Sequence, residues 1–225
     1  WVETPIGLVA LDTRRVKDNV WVRLDDLILP NIIQASPTFE DGNEEKPLLM
    51  PDFFGWNVPV DDIHTMEFFV IRWPEGKELP EERKALVRRT VNERPSYEDA
   101  QRLPNDYEVF TSQRPIAIHA LEHLAETDRG TIMHRNLIRD GIRAVQEGRD
   151  PQGIFRGPNG PIPTFSSGHI RSIPVASTAG EDREILRQTA QEWLKHCHKN
   201  PPSNAPQMIS RTSYTPTGLQ AGSPS

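Results

Sequence analysis

The chain has 225 residues, 36% hydrophobic with 21 prolines, enough to bury a core while leaving part of its length irregular. Its formal net charge of −6, with basic residues scattered among acids, excludes a broad nucleic-acid surface, because phosphate binding needs a clustered basic face. No apolar run approaches the roughly 20 residues of a membrane-spanning helix, and the single cysteine, Cys197, excludes an intrachain disulfide, a CxxC redox pair and an iron–sulfur cluster held by this chain alone. The start "WVETPIGLVAL" lacks a signal peptide's basic n-region and opens on Trp1 rather than Met. The expectation is a cytoplasmic piece of a longer protein, with no membrane or nucleic-acid partner.

In chain order, residues 6–29 hold two β-rich runs around Lys17-Asp18-Asn19 and predict an antiparallel hairpin. "QASPTFEDGNEEKP" reads as a loop. A second hairpin is predicted in "FFGWNVPV" and "TMEFFVIRW", turning through Asp61 to His64. With an even-numbered loop, one face would carry Phe54, Trp56, Val58, Phe69 and Ile71, and the other Phe53, Asn57, Met66, Phe68 and Val70. Neither face is polar, so the sheet must be covered on both sides or must wall a cavity.

After Pro74-Glu75-Gly76 the period changes to that of helices. "LPEERKALVRRTVNE" is a predicted helix opened by Pro80 and acidic residues. "NDYEVFTSQRPI" predicts a short helix over 105–113 with Asp106, Val109, Phe110 and Gln113 along one stripe, a placement that gives the Asp106 carboxylate a cap, an ion pair or a metal as partner. "IHALEHL" continues helically. Thr127 reads as the N-cap of a helix from Asp128 to Gly148, with Met133, Leu137, Gly141 and Val145 on one face and Gly148 at C′. "GIFRGPNGPIPTFSSG" reads as a Pro/Gly loop, and "EDREILRQTAQEWLKHCHKN" as an amphipathic helix using Leu186, Ala190, Trp193 and Cys197. Nothing periodic remains from Pro201 to Ser225, which composition marks as a disordered tail.

Most conventional sites are missing from this pattern. His119-x-x-x-His123 has helical spacing, but the HExxH arrangement needs a glutamate where Ala120 stands. His196 and His198 suit a helix end, Cys197 lies on an apolar stripe, and Arg129, Arg135, Arg139 and Arg143 read as a solvated face. There is no GxSxG and no glycine-rich loop between a strand and a helix.

One longer stretch carries a resemblance. Asp106, Ser112-Gln113-Arg114-Pro115-Ile116, Glu122-His123-Leu124 and Thr127-Asp128 follow in the order found in the C-terminal segment of Rieske-type ring-hydroxylating oxygenase α subunits, in the phthalate-dioxygenase-like branch. "WNVPVDDIHTMEFFV" is similar to that family's strand, Asp-Asp turn and strand, so the resemblance covers about residues 2–155. The chain departs from the pattern at Arg114, where the family usually has glycine, and at Ile118-His119, where it usually has Asp-Arg.

The resemblance implies an α+β fold of helix-grip type, an antiparallel sheet with packed helices. Residues 1–76 would form its sheet portion, residues 77–200 its helical portion with the iron-ligand aspartate, and residues 201–225 the tail. It implies a mononuclear Fe(II) held by two histidines and a carboxylate, with the carboxylate position falling on Asp106. The matching histidine pair and the [2Fe–2S] Rieske domain would lie in a missing N-terminal part, and the complete enzyme would hydroxylate or demethylate an aromatic substrate. An electron-transfer reductase and a homotrimeric assembly are the implied partners. Phe53, Asn57, Met66, Phe68, Val70 and Phe110 are the candidates for the substrate pocket. Two other readings stay open: a metal-free module binding a small apolar ligand, and a structural subunit whose apolar faces form an oligomer interface.

Overall fold

The computed structural model describes residues 1–37, 40–73, 112–156 and 162–202, with a few isolated positions between 78 and 109. The helix expected over 79–93, Asp106 and Phe110, the "GPNGP" turn and the tail beyond 202 lie outside the described residues.

The first hairpin is borne out. Strands β1 (Val2–Thr4), β2 (Gly7–Val16) and β3 (Asn19–Ile28) form an antiparallel meander. β2 and β3 are joined by a two-residue turn in which Lys17 takes φ 54, the positive φ that tight hairpin turns demand. Val20, Val22 and Leu24 alternate onto one face of β3 and are fully buried.

The predicted loop at 34–47 is shorter than expected. Its ends are strands β4 (Ile32–Ala35) and β5 (Lys46–Leu49), and a further strand, β8 (Ser167–Ser172), emerges from the predicted Pro/Gly loop. These are pieces of four to six residues whose neighbours, rather than their own composition, hold them extended. Strands β6 (Phe53–Pro59) and β7 (Thr65–Ile71) form the second predicted hairpin. The sheet runs β1-β2-β3-β4-β6-β7, with β8 bridging β3 and β5. Because β8 comes from the stretch expected to be helical, the sheet crosses the division drawn at residue 76.

β3 is the hub of this arrangement. On the edge away from β2 it pairs with β8 from Asn19 to Leu24 and with β4 from Asp26 to Ile28, so one edge serves two strands.

Among the described residues two helices flank the sheet. Helix α1 (Arg129–Gln146) lies against β2. It starts one residue later than predicted, with Asp128 rather than Thr127 at the N-cap, because a 3₁₀ turn occupies Glu126–Asp128. Gly130 and Ala144 are its buried residues, and Val145, expected on the packed face, is exposed. The Trp1 indole packs onto Gly130, where a Cβ would fall 2.1 Å from the ring, so a side chain there would displace the indole. Gly148 ends the helix at φ 73 as predicted.

Helix α2 (Ala179–Lys199) opens with a capping box. The Glu181 N–H donates to Thr178 Oγ1 at 3.2 Å, and Glu181 accepts the Thr178 N–H at 3.1 Å. Arg15 on β2 grips Asp182 through Nε at 3.1 Å, fixing the first turn to the sheet. The stripe read from the sequence holds: Ala190, Trp193 and Cys197 are buried against Val9, Val20, Val22, Leu24 and Phe165, with Leu186 packed alongside. The molecule is therefore α+β, an antiparallel sheet with helices packed on it.

Candidate functional site

The β6–β7 register decides which side chains share a wall. Five residues separate Pro59 from Thr65, so the loop is odd-numbered, and Phe54 faces Val70, Trp56 faces Phe68 and Val58 faces Met66. This corrects the grouping that an even loop would give. Met66, Phe68 and Val70 share a face with Phe54, Trp56 and Val58, whereas Phe53 and Asn57 lie on the opposite face with Phe69, Glu67 and Ile71. Ring contacts agree: Phe54 stacks with Trp56 at 6.3 Å and Phe53 with Phe69 at 6.0 Å.

Following the pairing across the sheet gives the row Val9, Asp26, Gln34, Phe54, Val70. Val9 belongs to the core under α2, so Met66, Phe68 and Val70 stand on the same face as that helix, beyond the part it covers. There Phe68 is 53% and Val70 59% exposed, while Phe54 and Trp56 are half-buried. The result is an aromatic and aliphatic wall on the same face as the core, with Asp26 and Gln34 standing between the two in this row.

Asp26 was not singled out by the sequence reading. A signal for it existed: in "NVWVRLDDLI" it falls in phase with Val20, Val22 and Leu24, a carboxylate at a core position. Its Oδ2 accepts the backbone N–H groups of Phe165 and Ser166, both at 2.7 Å. Burial pushes its carboxyl up to about 6, opposed by those two donors and assisted by neighbouring Asp25. Asp25, on the other face, accepts the Ser36 N–H at 2.7 Å and pairs with Arg23.

The lone cysteine behaves as read. Cys197 is fully buried, its Sγ lies 3.6 Å from Ser167 Oγ, and burial pushes the thiol up to about 12, so it is no nucleophile near neutral pH. Ser167 Oγ also accepts the Trp193 indole N–H at 3.1 Å. His169 stacks on Trp193 at 4.5 Å with Nδ1 3.0 Å from the Pro47 carbonyl, and burial lowers its basicity. His196 stacks on Trp193 at 5.2 Å and His198 lies against Phe165 at 4.8 Å, which makes both packing residues.

The expected helix through "IHALEHL" is only a 3₁₀ turn, His119–Leu121, and Glu122 returns to extended backbone at ψ 140. Nothing apolar in the turn is buried, so no packing extends it. His119 and His123 are therefore not stacked on one helix face. Glu122 instead takes a bidentate Arg135 at 2.5 and 2.8 Å, whose guanidinium holds the carboxyl below its ordinary range. Arg135 thus leaves the solvated basic face, while Arg143 pairs with Asp140 on it. Arg114, standing where the resembled family has glycine, takes φ 71, the left-handed region that favours glycine. Among the described residues no group of three or more His, Cys, Asp or Glu side chains is placed to hold a metal.

No family model matches the chain. It is 31% identical over 217 residues to the oxygenase subunit of tert-butanol monooxygenase / tert-amyl alcohol desaturase from Aquincola tertiaricarbonis, covering 87% of this chain and 44% of that protein. It is 33% identical over 136 residues to the phenoxybenzoate dioxygenase subunit alpha from Ectopseudomonas oleovorans, covering 59% of this chain and 30% of that protein. The chain thus spans less than half the length of either curated relative. Two oxygenase subunits matching one chain, in agreement with the motif order around residues 106–128, answer what the fold alone leaves open: this chain belongs with the oxygenase (alpha) subunits of the Rieske-type oxygenases.

Proposed function

We propose that the chain forms the C-terminal part of the catalytic domain of an oxygenase that activates dioxygen to hydroxylate or demethylate a small organic substrate with an apolar, aromatic body. The observation that carries this reading is the apolar wall. Phe54, Trp56, Met66, Phe68 and Val70 line one sheet face beyond the reach of α2, with three of the five more than half exposed. Such a face excludes water from a bound ring and offers aromatic edges and faces for stacking. Its role is to bind and orient; none of these side chains exchanges protons. Phe53 and Asn57, on the other face, are dropped from the pocket, and Phe110 keeps its place in it on the sequence pattern alone. The metal-free binding module is disfavoured because both relatives are oxygenase subunits.

The family implies iron, and the described residues do not assemble a site for it. Asp106 is proposed as its carboxylate ligand from its position in the motif, with the histidine ligands, the [2Fe–2S] centre, the reductase-binding surface and the oligomer contacts belonging to the complete protein. When bound, a ferrous centre of this kind supplies dioxygen activation. In the complete protein, Asp106→Ala is expected to lower iron content and turnover together while the [2Fe–2S] spectrum stays unchanged. Wild-type iron content and activity in that variant would overturn the assignment. The chain by itself, loaded anaerobically with ferrous iron and analysed for metal, is expected to retain none stoichiometrically, since one carboxylate in water does not hold Fe(II) against hydration.

A further inference from the structure

Asp26 stands at the fork in the sheet. Leu24 is paired with Ser167 of β8, and two residues on Asp26 is paired with Gln34 of β4, so the segment leading into β8 must leave the edge of β3 there. The N–H groups of Phe165 and Ser166 lose strand partners at that point, and Asp26 Oδ2 accepts both. Oδ1 has no hydrogen-bond partner among the described residues. Neither has Oε1 of Gln34, which belongs to the directly opposed residue on the same face, where side chains are in contact distance. Asp26 is 1% and Gln34 4% exposed. Ser166, fully buried beside them, has an unpartnered hydroxyl as well.

Two unpartnered acceptor oxygens on cross-strand neighbours of one buried face are desolvated without compensation, an arrangement that one proton relieves. We propose that the fork is a proton-binding site in which Asp26 is a carboxylic acid, its Oδ1–H donating to Gln34 Oε1 while Oδ2 continues to accept the Phe165 and Ser166 N–H groups. No cation forms an ion pair with Asp26 among the described residues. β2 presents Val9, β4 presents Gln34, and α2 presents the protonated thiol of Cys197 with His198 against Phe165. β8 presents Ser167 and His169, the latter with Nδ1 at the Pro47 carbonyl. On β3 itself, Asp25 adds repulsion and engages Arg23 on the opposite face.

The folded carboxyl titrates at about 6 against an ordinary 3.8, so between those values the folded state holds a proton that the unfolded chain has released. Stability from this group is complete below about pH 4, declines as pH rises to about 6 and is level above. A carboxyl whose titration moves by about two pH units on folding changes the unfolding equilibrium roughly hundredfold across that range.

The test is made on the complete protein. Asp26→Asn keeps an oxygen for the two N–H groups and puts an NH₂ where the proposed O–H sits. It is expected to match wild type in thermal unfolding at about pH 4, to exceed it increasingly as pH rises to about 6, up to that hundredfold ratio, and to keep that margin at higher pH. Infrared difference spectra across pH 5 to 7 should show a protonated carboxylic C=O band in wild type that is missing in Asp26→Asn and shifted in Gln34→Met. If Asp26→Asn is destabilised at every pH, or wild type shows no such band at pH 5, Asp26 is ionised, with the Gln34 amide turned to donate to it, and the proposal fails. Should Asp26→Asn not fold, the wild-type band and its response to Gln34→Met decide alone; an unshifted band overturns the pairing.

Discussion

The two ends of the sheet carry equally apolar rows and treat them in opposite ways. On β2 and β3 the inward side chains Val9, Val20, Val22 and Leu24 are fully buried beneath Trp193, Ala190 and Cys197 of α2. On β6 and β7 the continuation of the same face, Phe54, Trp56, Met66, Phe68 and Val70, is half-buried or exposed. Alternation and composition are alike, so the difference comes from what stands above each strand. A row of hydrophobic side chains shows that a face is meant to leave water, and says nothing about whether a helix, another chain or a ligand takes water's place.

The sharpest break of this comparison is Trp193→Ala. It empties the covered half, removes the donor to Ser167 Oγ and leaves His169 and His196 without the ring between them. The expected cost is about 3–5 kcal/mol of stability, read from denaturant unfolding, and a loss below 1 kcal/mol would mean that α2 is not the lid of this core. Phe68→Ala on the open half should cost less than about 1 kcal/mol, because the side chain is already half in water. In the complete enzyme the same variant should raise KM for an apolar substrate while Phe53→Ala, on the far face, leaves KM unchanged. Equal effects of the two would remove the assignment of faces to functions.

Val70→Lys addresses the edge. β7 pairs with β6 alone among the described residues, so the N–H and C=O groups of its other edge offer a template for pairing with another chain, and exposed apolar side chains flank them. The lysine should lower concentration-dependent self-association of the isolated chain in sedimentation or light scattering, with little change in the unfolding midpoint. Association unaffected by the charge would place the sticky surface elsewhere. The smallest effect is expected at Cys197: with its thiol buried and pushed up to about 12, alkylation at neutral pH should proceed only as the chain unfolds. Rapid labelling of the folded protein would show that the covered half opens readily.

What the sequence by itself determined are the features written in local periodicity. Both hairpins, the α2 stripe of Leu186, Ala190, Trp193 and Cys197, and Gly148 at its helix end follow from alternation, from a 3.6-residue period and from the conformational freedom of glycine. The ordered motif from Asp106 to Asp128 carried the family. Tertiary structure alone decided the rest. Strands β4, β5 and β8 are too short to announce themselves and are extended because β3 and its neighbours offer them partners. The face on which Phe53, Asn57, Met66, Phe68 and Val70 stand turned on whether one loop has an odd or even number of residues, since strand periodicity is two and a single residue inverts it. Asp26 gained its place for the same kind of reason: a fork in the sheet edge strands two N–H groups, and only a structure in which β4 and β8 share one side of β3 creates that need.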